Sequence, residues 1–100
     1  MSKGKLTTPK IGDILRAEFL EPLDVTPYRL AKEINVSTSS ILDIVHNKRK
    51  ISVEMAIRFS KYFGNSSKFW VNLQNELDLR EMEIKKVDEF GKIRQYSHSA

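Results

Sequence analysis

Four hydroxyl residues, Thr26, Ser37, Ser52 and Ser66, each stand immediately ahead of a stretch whose apolar residues recur at helical spacing. A side-chain oxygen in that position accepts from the free N–H groups of a helix's first turn, so each marks a helix start. Pro27 after Thr26 strengthens the first of these signals, because a proline at the first helical position gives up an N–H that has no partner there. The chain is thereby cut into short helices with tight connections. Ile11, Ile14, Leu15 and Phe19 form one apolar stripe, which Pro22 is expected to end near Leu20. Leu30, Ala31 and Ile34 form the second, closed by Asn35 in the left-handed conformation, and Ile41, Ile44 and Val45 form the third, closing near His46 and Asn47. Met55, Ala56, Phe59 and Phe63 line the fourth, with Gly64 as its stop. The fifth, from Ser66, meets no proline or glycine before Gly91, and Glu76/Arg80 and Glu81/Lys85 are favourable pairs along it, so it is expected to run well past Arg80. No segment alternates as a strand would. The fold class expected is all-α, a compact five-helix domain with an extended C-terminal helix or tail.

One hundred residues, 40% of them apolar, suffice for one core and not two. The absence of cysteine excludes disulfides and thiolate chemistry. No apolar run approaches a bilayer span and the first ten residues are polar, so a cytoplasmic protein with no membrane partner is expected. Net charge is +4, and its distribution says more than its total: +3 over 1–10, −3 over 11–25, +3 over 26–50, +2 over 51–75 and −1 over 76–100. The basic side is the middle of the chain together with an N-terminal arm, residues 1–9, which reads as flexible.

Thr26 to Lys50 is the informative stretch. Leu30, Ile34, Val36, Ile41 and Ile44 hold two short helices together, small Ala31 lets them approach and Asn35 makes the turn. This is helix-turn-helix spacing over 26–47, although an ordinary α-hairpin in a bundle has the same pattern. Thr38, Ser39 and Ser40 at the start of the second helix are small enough to meet base edges, and equally are what a solvated helix start carries. Asn47, Lys48, Arg49 and Lys50 follow that helix, where groove docking would bring their cations to flanking phosphates; a solvated charge run reads the same. Thr26 and the N–H groups behind it can hold a phosphate at a positive helix end.

These residues sit within a longer pattern that resembles the HigA antitoxins, also known as virulence-associated protein I, of the Xre/Cro (lambda-repressor-like) helix-turn-helix regulators. The matching residues are Gly12-Asp13-Ile14-Leu15, Glu18-Phe19-Leu20, Pro22-Leu23, Tyr28-Arg29-Leu30-Ala31, Lys48-Arg49, Ala56, Arg58, Tyr62-Phe63-Gly64, Phe69-Trp70, Asn72-Leu73-Gln74 and Leu77-Asp78-Leu79, spanning about Pro9 to Arg80. The resemblance implies a cytoplasmic homodimer that represses its own operon at a palindromic operator and masks a partner HigB-type RNase toxin. It implies a DNA-binding domain over 10–80 and a C-terminal extension over 81–100, helical at first and then disordered. Thr38, Ser39, Ser40 and Asp43 would face base edges, and Thr26, Tyr28, Arg29, Ser37, Asn47, Lys48 and Arg49 would hold phosphates. The sequence departs from the family where Asn35 and Asn47 replace common glycines and Ser40 a common arginine. With no Arg, Gln or Asn in the third helix before Asn47, the strong bidentate readers of guanine and adenine are missing.

Other residues read more plainly. Trp70 with Phe69, Leu73 and Leu77 has core spacing. Leu79 and Met82 lie off that stripe, and with Ile84 and Val87 they form a dimer or toxin interface, or else fold back on the domain, as do Phe90 and Ile93. Arg58 is expected to ion-pair with Glu54 or Asp13. His46 and His98 lack zinc-like spacing, Ser37, Asp43 and His46 on one short helix cannot build a catalytic cleft, and no phosphate loop occurs, so neither enzyme activity, metal nor cofactor is expected. The rival readings are a solitary Xre-type regulator without a toxin, a protein-interaction module that has lost DNA binding, and an RNA-binding domain, for which the aromatics are expected to be too buried.

Overall fold

A computed structural model of the protein describes residues 9–97; all but the last residue of the basic arm over 1–9, and residues 98–100 with His98, lie outside them. Six helices and no strand occur among the described residues. The first, α1, spans 11–23 in three continuous pieces: an α-helical start (Ile11–Ile14), a wider π-helical stretch (Leu15–Leu20) and a last turn (Glu21–Leu23). The helices that follow are α2 (Pro27–Glu33), α3 (Thr38–Val45), α4 (Val53–Phe63), α5 (Ser67–Lys85) and α6 (Val87–Gly91).

All four hydroxyl caps form. The side chains of Thr26, Ser37, Ser52 and Ser66 accept from the N–H groups of Arg29, Ser40, Met55 and Phe69. Gly64, at φ 80°, ends α4 in the left-handed conformation that an L side chain resists. Pro22 does not end α1 at Leu20, as its sequence signal suggests. The Glu21 N–H donates to the Arg16 carbonyl, five residues back, and that widened turn takes up the proline ring that a regular α-turn would bring against the preceding carbonyl. The helix closes one turn later, at Asp24, in the left-handed conformation at φ 56°.

The core is one cluster. Leu15, Leu30, Ile41, Ile44, Phe59 and Trp70 are its largest fully buried side chains, and Ile11, Leu20, Ala31, Ile34, Val45, Ile51, Met55, Ala56 and Leu77 complete it. At one end the rings of Phe19, Phe59, Phe63 and Phe69 surround Trp70 with centroids 4.6–5.7 Å from it, in the tilted and edge-on arrangements that aromatic quadrupoles favour. The indole N–H donates to Asn65 Oδ1 at 2.8 Å, so burying Trp70 strands no polar group. Phe69 flanks this cluster while remaining exposed, and Tyr28 and Phe90 are exposed too, so the aromatics are not uniformly buried. The inward stripe of α5 is Trp70, Gln74 and Leu77, with Leu73 half-buried beside it. Every described residue from Leu79 onward is exposed. No described helix is long and apolar enough to cross a membrane.

Candidate nucleic-acid interface

The α2–turn–α3 unit is built by its apolar contacts and closed by its backbone. Leu30 and Ala31 of α2, with Ile34 at its end, meet Ile41, Ile44 and Val45 of α3, all of them buried. Asn35 takes φ 61°, and the Val36 N–H reaches back to the Ala31 carbonyl at 3.0 Å, so the chain reverses within a few residues. Arg58 of α4 fastens this turn from behind. Its Nη1 donates to the Ile34 carbonyl at 2.7 Å, and its Nε and Nη2 donate to Glu54 at 3.1 and 3.0 Å. Of the two acids expected for Arg58, Glu54 is the partner; Asp13 pairs with Arg16 at 3.7 Å.

The far end of α3 is held against α1. Asn47 takes φ 64°, the Lys48 N–H donates to the Asp43 carbonyl at 2.7 Å, and Asn47 turns its side chain onto the first turn of α1. There its Oδ1 accepts from the Gly12 N–H at 2.8 Å and its Nδ2 donates to Asp13 Oδ1 at 3.2 Å. Gly12 is required at this approach, because a Cβ on it would overlap the carbonyl oxygens of Ile44 and Val45. The positive end of α1 thus meets the carbonyl end of α3, an arrangement both helix dipoles favour. Asn47, expected as a phosphate contact, spends both ends of its side-chain amide on α1 and so positions α3.

The remaining site residues lie at the start of α2, along α3 and in the segment after it. At the start of α3, Ser37 Oγ accepts from the Ser40 N–H at 3.1 Å and shares hydrogen bonds with the Ser40 hydroxyl at 2.7 Å and the Ser39 hydroxyl at 3.3 Å. Arg49 folds back across this cluster, its Nη1 donating to Ser40 Oγ at 3.2 Å. That contact places a guanidinium beside the start of α3, although α3 itself carries no arginine. Thr38 and Asp43 are half-buried along the same helix. On α2, Thr26 uses a lone pair of Oγ1 to cap the Arg29 N–H at 3.0 Å and keeps its own proton to donate. Tyr28 is exposed, and Arg29 is exposed with its Nε on Glu33 at 3.3 Å, a surface pair that competing phosphate can readily replace.

The cations after α3 are not equivalent. Lys50 pairs with Asp78 of α5 at 3.3 Å, whereas Lys48 is exposed and ion-pairs with no described residue. Behind Lys50 is a connection that sequence reasoning missed. Buried Gln74 accepts from the Ile51 N–H at 2.9 Å and donates to Asp78 at 3.1 Å, locking the segment after α3 onto α5. The signal was its register, four residues after Trp70 and three before Leu77. Also missed was Leu42, an exposed leucine on the outer face of α3. Its signal was its place next to Ile41: with Ile41, Ile44 and Val45 turned inward, a helix must turn Leu42 away from them.

A helix-turn-helix family profile matches residues 17–70. The uncharacterized helix-turn-helix-type transcriptional regulator YbaQ of Escherichia coli K12 is 43% identical over 91 residues, covering 89% of this chain and 79% of YbaQ. Virulence-associated protein I of Dichelobacter nodosus is 40% identical over 82 residues, covering 80% of this chain and 76% of the relative. Among solved structures, the Pseudomonas aeruginosa antitoxin HigA with the higBA promoter superposes with a TM-score of 0.85 at 37% identity, covering 91% of this chain and all of that one.

Proposed function

Because this chain belongs to the Xre-type helix-turn-helix family that includes the HigA antitoxins and virulence-associated protein I, we propose that it is a dimeric operator-binding antitoxin that represses its own operon and neutralises a HigB-type RNase toxin. The observation that carries the DNA-binding part is the outer face of α3. Its own first residues are small, its axis is fixed at one end by the Asn35 turn and at the other by Asn47 on Gly12, Arg49 lies across its start and Lys48 follows its end. A helix so held can enter a major groove, while Thr26, Tyr28, Arg29 and Ser37 reach the backbone beside it. Residues 10–80 form the DNA-binding domain in this reading. Two copies place their α3 helices in successive major grooves, about 34 Å apart. Leu79, Met82, Ile84 and Val87 supply apolar surface for the second copy or the toxin, all four being exposed.

The test is binding to a duplex from the protein's own promoter against a scrambled duplex of equal length, across a salt series. Preference for the promoter is expected to persist at about 150 mM salt, where nonspecific contacts have weakened strongly. With about five to eight phosphates neutralised per dimer, the slope of log K against log salt is expected near −5 to −7. Lys48→Ala combined with Arg49→Ala should weaken binding to every sequence and make that slope shallower. Equal binding to both duplexes that vanishes with salt rejects the operator reading and favours a protein-interaction module.

A second reading, a solitary regulator, is favoured by the likeness to YbaQ, a relative named as a transcriptional regulator. Co-expression with the neighbouring open reading frame separates the two. An antitoxin restores growth that the neighbour's product arrests, whereas a solitary regulator has no such neighbour.

A further inference from the structure

The outer face of α3 is poorer in hydrogen-bonding capacity than its residue types suggest. Ser37, Ser39 and Ser40 point their hydroxyls at one another, and the Ser40 oxygen also receives Arg49. Each hydroxyl has a single proton, so a cluster closed on itself offers few donors to a base edge. What the face does present is hydrocarbon. Leu42 is 37% exposed although its neighbours Ile41 and Ile44 are fully buried. Thr38, with its γ-methyl group, lies one helical turn before Leu42 on the same side of the helix, and Ser39 is three residues before it.

In the major groove, one group answers hydrocarbon and no polar donor or acceptor: the C5-methyl of thymine. Resting on the operator-binding reading above, we infer that Leu42, with Thr38, reads thymine methyl groups and is a specificity-determining residue of this protein. An exposed leucine at this place leaves apolar surface in water in the free protein, and docking against a methyl removes that surface without desolvating a polar group. Cytosine presents an amino group on that side of the groove and guanine presents acceptors, both of which lose hydration against a leucine without gaining a partner. Asp43, one residue further along, is the helix's acceptor for a cytosine amino group. The two side chains together distinguish the pyrimidines by opposite chemistry.

The test replaces thymine by uracil, one position at a time, in the promoter duplex, which removes the methyl and leaves every hydrogen-bonding group in place. Full-length protein and its Leu42→Ala variant are titrated against each duplex. At one or two positions per half-site, wild-type affinity should fall about fourfold per methyl, the effect of one such carbon withdrawn from water. Leu42→Ala should bind the thymine and uracil duplexes nearly alike. Leu42→Met, which keeps hydrocarbon at the site, should restore most of the difference. If no uracil substitution weakens the wild-type protein, or if Leu42→Ala keeps the full thymine preference, Leu42 does not read methyl groups. The wild-type series decides on its own should the alanine variant fold poorly. Loss of all preference for promoter over scrambled duplex would instead reject operator binding itself, and this inference with it.

Discussion

The two halves of α5 have similar apolar content and opposite surroundings. From Ser67 to Asp78 the helix buries Trp70, Gln74 and Leu77 against α1 and α4, and its polar groups are engaged by Asn65, Ile51 and Lys50. From Leu79 to Lys85, and on through α6, Leu79, Met82, Ile84, Val87 and Phe90 are exposed. Apolar content alone does not tell these halves apart, although Leu79 and Met82 lie off the stripe of Trp70, Leu73 and Leu77. The difference is what faces them: the first half is buried against residues from distant parts of the chain, while among the described residues the second stays exposed, continues into α6 and is tied by long ion pairs, Glu81 with Lys10 at 3.8 Å and Arg80 with Glu76 at 3.8 Å, with Ile84 and Lys85 beside Pro9 and Ile11. Hydrophobic stabilisation is proportional to area removed from water, so the first half stabilises the fold and the second leaves its apolar surface exposed among the described residues.

The largest effect expected from that contrast lies at Trp70. Truncation to alanine removes the ring around which Phe19, Phe59, Phe63 and Phe69 are arranged, and is expected to cost about 3 to 5 kcal/mol of stability, read from the urea midpoint at constant m. A loss below about 1 kcal/mol would mean that the packed half is not what anchors α5. Next comes Gly12→Ala, where a methyl group would meet two backbone carbonyls that have no rotamer to escape into; about 2 to 3 kcal/mol is expected, together with weaker DNA binding as α3 is displaced. Unchanged stability would show that α1 and α3 can separate at little cost. Gln74→Ala is smaller, about 1 to 2 kcal/mol, because it leaves the buried Ile51 N–H without its acceptor and frees the loop that carries Lys48 to Lys50.

Much of this contrast was legible in the sequence, for identifiable reasons. The four hydroxyl caps, the Gly64 stop and the Asn35 and Asn47 turns are local devices whose geometry depends on a few neighbouring residues, and each forms as read. Trp70 and Leu77 follow from periodicity. Pro22 misled because the cost of a proline within a helix depends on hydrogen-bond register, and a π-helical turn before it changes that register without leaving a compositional trace. At Asn47 the limit of sequence reading is a different one. Its backbone role was local and readable, but its side chain bonds Gly12 and Asp13 more than thirty residues away, and Asn serves a phosphate or a helix end with the same amide. Arg49 reaching back to Ser40 is likewise a tertiary fact. The candidate interface was therefore legible as a set of residues on one helix-turn-helix, and not as an allocation of their hydrogen bonds.

The smallest expected change in stability tests the exposed half of α5 most directly. Leu79→Ser together with Met82→Ser removes side chains that are largely exposed within one copy, at 59% and 45%, so at high dilution stability should fall by no more than about 1 kcal/mol. At higher concentration the outcome should differ. If these residues meet a second copy, the wild-type midpoint rises with protein concentration by mass action, and the double variant loses that rise while its dissociation constant, from sedimentation equilibrium, weakens about tenfold or more. Promoter affinity then falls through half-site pairing even though α3 is untouched. A midpoint independent of concentration in both proteins would remove the second copy as the partner of this surface. Loss of toxin neutralisation by the same variant, with promoter binding intact, would then assign Leu79 and Met82 to the toxin. In either case the two halves of one helix would be separated by what each is buried against, a distinction that their similar apolar content does not contain.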